Sequence, residues 1–205
     1  MAAKIEIESV RRKSLPRALL SRALARCGVA FYDMVLGEGE LEPERRPVAP
    51  MARIVVRVAE AEDLEHVGDR RTKERFACNA SLDSRCVVAL HESTVVGYAW
   101  FNCTVFEFLG QTLERLPSGT MCVHDVFVFP EHRGTKVLQQ LLAEVFRLGL
   151  LARSKTAVCV VDKANAPAVA AFRRMGVQFR WAPILKLPGL KPVLLGMRSV
   201  RGTHA

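Results

Sequence analysis

One stretch of the chain constrains its fold more than any other. Residues 126–142 read VFVFPEHRGTKVLQQLL, an apolar run followed by a short connection and then by apolar residues at helical spacing. The helical period continues as far as Leu150. The stretch therefore predicts a strand that ends at Val128, a connection that reaches Arg133, and a long helix that Gly134 opens.

Alternating and continuous apolar runs predict further strands, and helical spacing predicts a second helix in this half. The predicted strands are Arg53–Val58, Arg85–Leu90, Val95–Asn102, Met121–Phe129 and Thr156–Val161; Glu60–Asp69 and Ala166–Met175 are helical, and Val177–Leu185 with Lys191–Val200 form a final hairpin. Strand–helix–strand order in the second half favours a parallel pair at the centre. The predicted class is α/β, a mixed α+β sheet of about six to seven strands flanked by helices.

The first fifty residues differ in character from the rest. Residues 14–27 place leucines at helical spacing, with arginines mostly elsewhere, which predicts a basic amphipathic helix. Residues 37–50 are rich in Glu, Pro and Gly, which predicts a linker. We therefore expect residues 1–50 to form a helix and linker and residues 51–205 to form one domain. Docking of the helix on protein is favoured, and peripheral membrane contact through it stays open.

Composition narrows the classes of function. The formal net charge of +9 divides into +5 over residues 1–28, −7 over residues 29–132 and +11 over residues 133–205. No nucleic-acid-binding motif accompanies the basic segments, so no nucleic-acid partner is predicted. Neither a transmembrane run nor a signal peptide is present, which predicts a cytoplasmic protein. The six cysteines contain no CxxC pair, so no metal is expected.

The connection before the long helix has the chemistry of an anion site. A helix start leaves backbone N–H groups unpaired and carries the positive end of the helix dipole. A glycine-containing turn from a strand into a helix can therefore hold a phosphate or pyrophosphate. Arg133 and Lys136 would add positive charge to that turn.

Element order and local sequence together resemble the GNAT N-acetyltransferase superfamily over roughly residues 53–200. The family pattern V-x-P-x-x-R-G is met by Val128, Pro130, Arg133 and Gly134, and an Asn, aromatic, Gly pattern is met by Asn165, Phe172 and Gly176. The joint match of motif and element order makes this resemblance fairly specific. It implies a GNAT-like fold, with acetyl-CoA or another acyl-CoA as the acyl donor.

The resemblance also implies which residues bind that donor. Backbone groups of Val126, Phe127 and Val128 would lie along the pantetheine and the thioester carbonyl. The turn of Arg133, Gly134, Thr135, Lys136, Val137, Leu138 and Gln139 would surround the pyrophosphate, and Asn165 would contact the cofactor.

The sequence departs from the family pattern at two places. Family members have glycine, or glycine then alanine, where this chain has Lys136 and Leu138, so side chains could crowd the approach of backbone to phosphate. Ribosomal-protein-type members use a Glu and a Tyr for proton transfer where this chain has Val160 and Phe172, which exchange no proton.

A replacement base is suggested by the preceding strand. Polyamine acetyltransferases of this family carry two adjacent carboxylates at the positions of His124 and Asp125. Imidazole is a suitable general base at neutral pH. Strand alternation places the two side chains on opposite faces, so at most one faces a given cleft. We hypothesise that His124, directly or through a water, deprotonates the acceptor, while a backbone N–H near Val128 polarises the carbonyl.

Two functions from different classes follow from these residues. The favoured one is an acyl-CoA-dependent N-acyltransferase that acts directly on an amine of a small molecule or sugar. The alternative is a catalytically silent GNAT-like module that binds an acyl thioester or a protein. Glu107 and Glu114, which precede the key strand, hint at a cationic acceptor. Phe101, Phe106 and Phe108 fit either an acyl pocket or the core. Homodimer formation stays open.

Overall fold

Twelve strands and two α-helices make up the part of the chain that the structure, a computed structural model, describes: Arg26, 28–42, 53–64, 84–108 and 111–195. The strands are β1 (Ala30–Tyr32), β2 (Met34–Glu40), β3 (Ile54–Val58), β4 (Arg85–His91), β5 (Thr94–Asn102), β6 (Val105–Phe108), β7 (Gln111–Arg115), β8 (Thr120–Val128), β9 (Thr156–Asp162), β10 (Gln178–Trp181), β11 (Ile184–Lys186) and β12 (Val193–Leu194). The helices are α1 (Val137–Leu151) and α2 (Ala166–Arg174).

Seven strands form the central sheet, in the order β10-β2-β9-β8-β5-β4-β3. β8 and β9 are parallel, and the other neighbours in this sheet are antiparallel. The mixed α/β class and the central parallel pair are therefore confirmed. The predicted hairpin of Arg85–Leu90 and Val95–Asn102 corresponds to β4 and β5.

The long helix lies on one face of the sheet because its apolar residues recur with the helical period. Val137, Leu141, Leu142 and Val145 are fully buried and pack in one cluster with the strands beneath them. The opposite face is covered differently, since Cys122 on β8 packs there with Phe106 of β6. A second hairpin, β6 with β7, therefore shields the face that α1 leaves uncovered.

The linker predicted for residues 37–50 is wrong over residues 37–40. These residues belong to β2, which lies between β9 and β10 in the central sheet. Glycine is used here for close packing: a Cβ at Gly37 would lie 2.6 Å from Val177 Cγ1 and 2.7 Å from Cys159 Sγ. Composition typical of a linker thus occurs in a buried strand because its neighbours approach so closely.

The predicted final hairpin is correct only in its second part. β11 pairs with β12, but β10 pairs with β2, so the segment Val177–Leu185 is divided between two sheets. Pro183 lies at the division, and a proline has no N–H to donate to a ladder. Of the predicted helix Glu60–Asp69, residues 60–64 are described, and Ala61–Leu64 form a 3-10 turn.

The predicted amphipathic helix of residues 14–27 lies outside the described residues, apart from Arg26. Among the residues that are described, no helix is both long enough and apolar enough to cross a membrane.

Candidate functional site

The two parallel strands at the centre of the sheet separate partway along their length. Thr120–Val123 of β8 pair with Thr156–Cys159 of β9. Beyond this point β8 continues to Val128, and β9 continues to Asp162 while it pairs with β2. A gap between the strands therefore begins at His124 and Val160, and among the described residues no strand pairs with the edge of β8 that faces it.

A bulge in β8 lies beside the start of this gap. The register with β5 shifts between Tyr98 and Trp100, and Asp125 has a φ of 42°. A residue other than glycine in this left-handed region costs on the order of 1–3 kcal/mol, and such strain concentrates at functional sites. The bulge changes the direction in which the following backbone groups point.

Beyond the bulge, backbone groups of β8 alternate between β5 and the gap. Phe127 pairs with Tyr98, and the N–H of Phe129 donates to the Val96 carbonyl at 3.0 Å. In an antiparallel ladder the intervening residue turns its N–H and C=O to the other side. Val128 therefore presents its backbone groups to the gap, where its carbonyl accepts from Arg133 Nε at 3.1 Å.

The connection from β8 to α1 is an exposed turn. Gly134 has a φ of 77°, and an added Cβ would meet nothing within 4 Å. Thr135 Oγ1 donates to the His132 carbonyl at 2.5 Å and accepts from the Val137 N–H at 3.4 Å. The first-turn N–H groups of Leu138 and Gln139 have no acceptor within the helix. The turn therefore combines open space, helix-dipole charge and donors suited to an anion.

The two bulky residues of this turn are placed differently. Leu138 is partly buried and packs against the core cluster beneath α1. Lys136 is exposed and immediately precedes the helix. The Leu138 side chain is therefore directed away from the exposed turn, and only Lys136 remains there to meet a ligand.

Three further residues of the family pattern have structural roles. Asn165 is the N-cap of α2, since its Oδ1 accepts from the Ala168 N–H at 3.3 Å. Phe172 is buried in the core, with its ring edge-on to that of Phe179. Val160 packs partly buried beneath the β6–β7 side of the sheet. The prediction that Asn165 contacts a cofactor remains open, because the residue is exposed beside the end of β9.

His124 is buried against a carboxylate that the sequence did not pair with it. Its Nδ1 contacts Glu107 Oε2 on β6, and the two side chains are 6% and 4% exposed. Its Nε2 lies 3.1 Å from the Oγ of Ser84, the residue immediately before β4. Sequence reasoning missed this arrangement because the three residues are far apart in the chain and only the strand order brings them together.

Asp125 is less buried than His124, and its negative charge acts on a neighbouring thiol. Burial raises the pKa of the Cys86 thiol, and the charge of Asp125 raises it further. His124 has a carboxylate and a hydroxyl as its partners, an arrangement suited to a general base. Glu114, on the strand beside Glu107, is only partly buried. Phe101, Phe106 and Phe108 are all buried in core clusters.

Comparison with known proteins gives one family and a set of related folds. The model of the acetyltransferase (GNAT) family matches residues 53–177. No curated protein matches the chain. Among solved structures, it is similar to GCN5-related N-acetyltransferases from Sphaerobacter thermophilus (16% identity, TM-score 0.52) and Kribbella flavida (18% identity, TM-score 0.51). It is also similar to a tandem GNAT protein from the clavulanic acid biosynthesis pathway (15% identity, TM-score 0.55).

These three alignments cover 82%, 85% and 88% of this chain, but only 55%, 64% and 60% of the respective relatives. The chain therefore spans less than two thirds of the length of each of them. At these identities the likeness concerns the fold.

Proposed function

Because the chain belongs to the acetyltransferase (GNAT) family, we propose that it transfers the acyl group of an acyl-coenzyme A, in the simplest case acetyl-CoA, directly to an amine of a small molecule or sugar. The observation that carries the proposal is the gap between β8 and β9, which leads along Val128 to the exposed turn at Gly134.

The residues along this path fit the parts of an acyl-CoA. Pantetheine is a narrow chain with two amides, and the unpaired edge of β8 offers backbone donors and acceptors to such a chain. A pyrophosphate is anionic, and the start of α1 offers N–H groups and the positive end of the helix dipole. Arg133 and Lys136 flank that position and are exposed. The acyl-CoA supplies an activated acyl group as its thioester.

The remaining chemistry is the removal of a proton from the acceptor. An alkyl ammonium has an unperturbed pKa of about 10.4, and the protonated form has no lone pair to attack a thioester. His124 lies where the gap begins and is held by Glu107, which stabilises the imidazolium that forms. A backbone N–H of β8 that faces the gap, near Val128, would polarise the acyl carbonyl.

Calorimetric titration with acetyl-CoA and longer acyl-CoAs tests the binding site. We expect micromolar binding by the wild-type protein, weakened about tenfold or more by Arg133→Glu, because charge reversal at the turn repels the pyrophosphate. Arg173→Glu is the matched control, since Arg173 is also exposed but lies in the last turn of α2. Its affinity should stay within about twofold of wild type.

Lack of binding to every acyl-CoA would contradict the proposal and would direct attention to protein partners. Equal losses in Arg133→Glu and Arg173→Glu would show that overall charge, and not this turn, holds the ligand.

A further inference from the structure

Both ring nitrogens of His124 are already engaged within the protein. Nδ1 contacts Glu107, and Nε2 lies 3.1 Å from Ser84 Oγ. The imidazole is buried, whereas Ser84 is only partly buried. Each ring nitrogen of His124 therefore already has a protein partner, and Ser84 links Nε2 to the more exposed surroundings of the site.

The direction of each hydrogen bond follows from the chemistry of the groups. An ionised carboxylate only accepts, so Glu107 receives the Nδ1–H of a neutral imidazole. Nε2 then has a lone pair and accepts the hydroxyl proton of Ser84. While it donates this proton, the Ser84 oxygen keeps lone pairs with which it can accept from another group.

We propose that Ser84 is the residue that receives the acceptor's proton and passes it to the buried His124–Glu107 pair. This inference rests on the proposed acyltransfer. The ammonium gives one proton to Ser84 Oγ, and Ser84 gives its own proton to His124 Nε2, so the hydroxyl is restored. Glu107 stabilises the imidazolium, and the amine nitrogen gains a free lone pair.

The rest of the reaction balances without another reactant. Attack by the neutral amine forms the C–N bond and breaks the C–S bond of the thioester. The second proton of the nitrogen leaves with the sulfur as a thiol. The imidazolium then releases its proton to water through Ser84.

Sheet order explains why Ser84 relays a proton and is not itself acylated. β5 lies between β8 and β4, and neighbouring strands are about 4.8 Å apart. Ser84 therefore extends from a backbone about 10 Å from β8, on the side opposite the gap. Reacting atoms must approach to about 3–3.5 Å. An acceptor amine placed between Ser84 and the thioester can contact both of them. Direct attack by Ser84 would require its hydroxyl to reach the thioester on the far side of β8.

Steady-state kinetics of Ser84 variants with an amine acceptor test the relay. In Ser84→Ala we expect kcat to fall about 100-fold, the usual scale of general base catalysis, while acyl-CoA affinity stays unchanged. Ser84→Thr retains a hydroxyl and should recover kcat to within about tenfold of wild type. Glu107→Gln removes the negative charge that stabilises the imidazolium of His124, and it should also lower kcat. The double variant that combines Ser84→Ala and His124→Gln should have a kcat no lower than that of the slower of the two single variants, because both residues act in one relay.

The matched control is Ser154→Ala, because Ser154 is a buried serine whose hydroxyl meets Cys103 instead of the His124 pair. Its kcat should equal that of wild type. A loss in Ser154→Ala equal to that in Ser84→Ala would show a structural effect and overturn the relay. If Ser84→Ala fails to fold, the kcat values of Ser84→Thr and Glu107→Gln test the relay in its place.

Three outcomes separate the relay from the proposed function. Full kcat in Ser84→Ala, with an active wild-type protein, overturns the relay alone. An acyl ester on Ser84, seen by mass spectrometry after incubation with acyl-CoA and no amine, replaces the relay by covalent catalysis. A wild-type protein that transfers to no amine overturns the proposed function, and the relay with it.

Discussion

Burial keeps several thiols of this protein in their neutral form. Burial raises the pKa of Cys122 to about 12, and burial also raises the pKa values of Cys86 and Cys159. The thiolate is the reactive form of cysteine. The Cys122 thiol is therefore almost entirely protonated at pH 8. These cysteines are therefore packing residues, and they do not supply an acyl-accepting nucleophile.

Alkylation of the native protein at pH 8 checks this assignment. Among the described cysteines, iodoacetamide should modify Cys103, which is exposed, and should leave Cys86, Cys122 and Cys159 unmodified until the protein is unfolded in denaturant. Peptide mass spectrometry measures each site. Labelling of Cys122 at the rate of Cys103 in the native state would contradict the prediction.

Only one residue of the group formed by Ser84, His124 and Glu107 was identified from the sequence as a candidate base. His124 was predicted because an ionisable residue stands where related enzymes have a carboxylate. Ser84 and Glu107 gave no such signal as its partners, because their distances from His124 in the chain carry no information about the sheet order. Val160 and Phe172 are excluded from proton transfer by their chemistry alone, since neither side chain can gain or lose a proton.

The turn before α1 holds a positive charge where the helix already has its positive end. Lys136 is the N-cap of α1, and its own side chain makes no capping hydrogen bond. A cation near a helix N-terminus typically costs about 0.3–1 kcal/mol. The same charge attracts an anionic ligand. The two effects have opposite signs and are separable by experiment.

We expect Lys136→Ala to stabilise the free protein by about 0.3–1 kcal/mol and to weaken acyl-CoA binding about two- to fivefold, the size of an exposed ion pair. Thermal unfolding without ligand and calorimetric titration measure the two quantities. Lys155→Ala is the control, since Lys155 is exposed and lies immediately before β9, away from the turn. A fall in both stability and affinity would argue against a ligand-binding role for Lys136.

Periodic elements were predicted well, and elements without a period were not. α1 ends at Leu151, one residue from the predicted Leu150, because four turns of buried residues define its face. β6 and β7 were missed because each is short and lacks a long alternating pattern. All of β2 was missed, and residues 37–40 were interpreted as part of a linker because its glycines carry no side chain to reveal a buried face.

At the scale of the whole molecule, β2 joins the early part of the chain to its late part. It pairs with β9 on one side and β10 on the other. Gly37 lies between Val177, Cys159 and Phe179, and an added Cβ would come within 2.7 Å of each of them. The fit of β2 against the sheet therefore has no room for even one methyl group.

Gly37→Ala should lower the free energy of unfolding by about 1–3 kcal/mol, because overpacking forces these side chains to move. Denaturant unfolding measures the loss. Glu38→Ala is a matched control on the same strand, since it removes only a partly exposed ion pair with Arg180 at 3.7 Å. That change should stay within about 1 kcal/mol of wild type. Equal stability of the Gly37 variant and wild type would show that β2 is more loosely held.

The position of β2 also sets when the protein can finish folding during its synthesis. β2 ends at Glu40, whereas β9 begins at Thr156. A ribosome that adds about 5–20 residues per second needs roughly 6–23 s to make the intervening chain. During that time β2 has been synthesised, but neither of its neighbours in the sheet, β9 and β10, has been made. The nascent protein must therefore keep an apolar strand from pairing with other chains until its own carboxyl-terminal half has emerged.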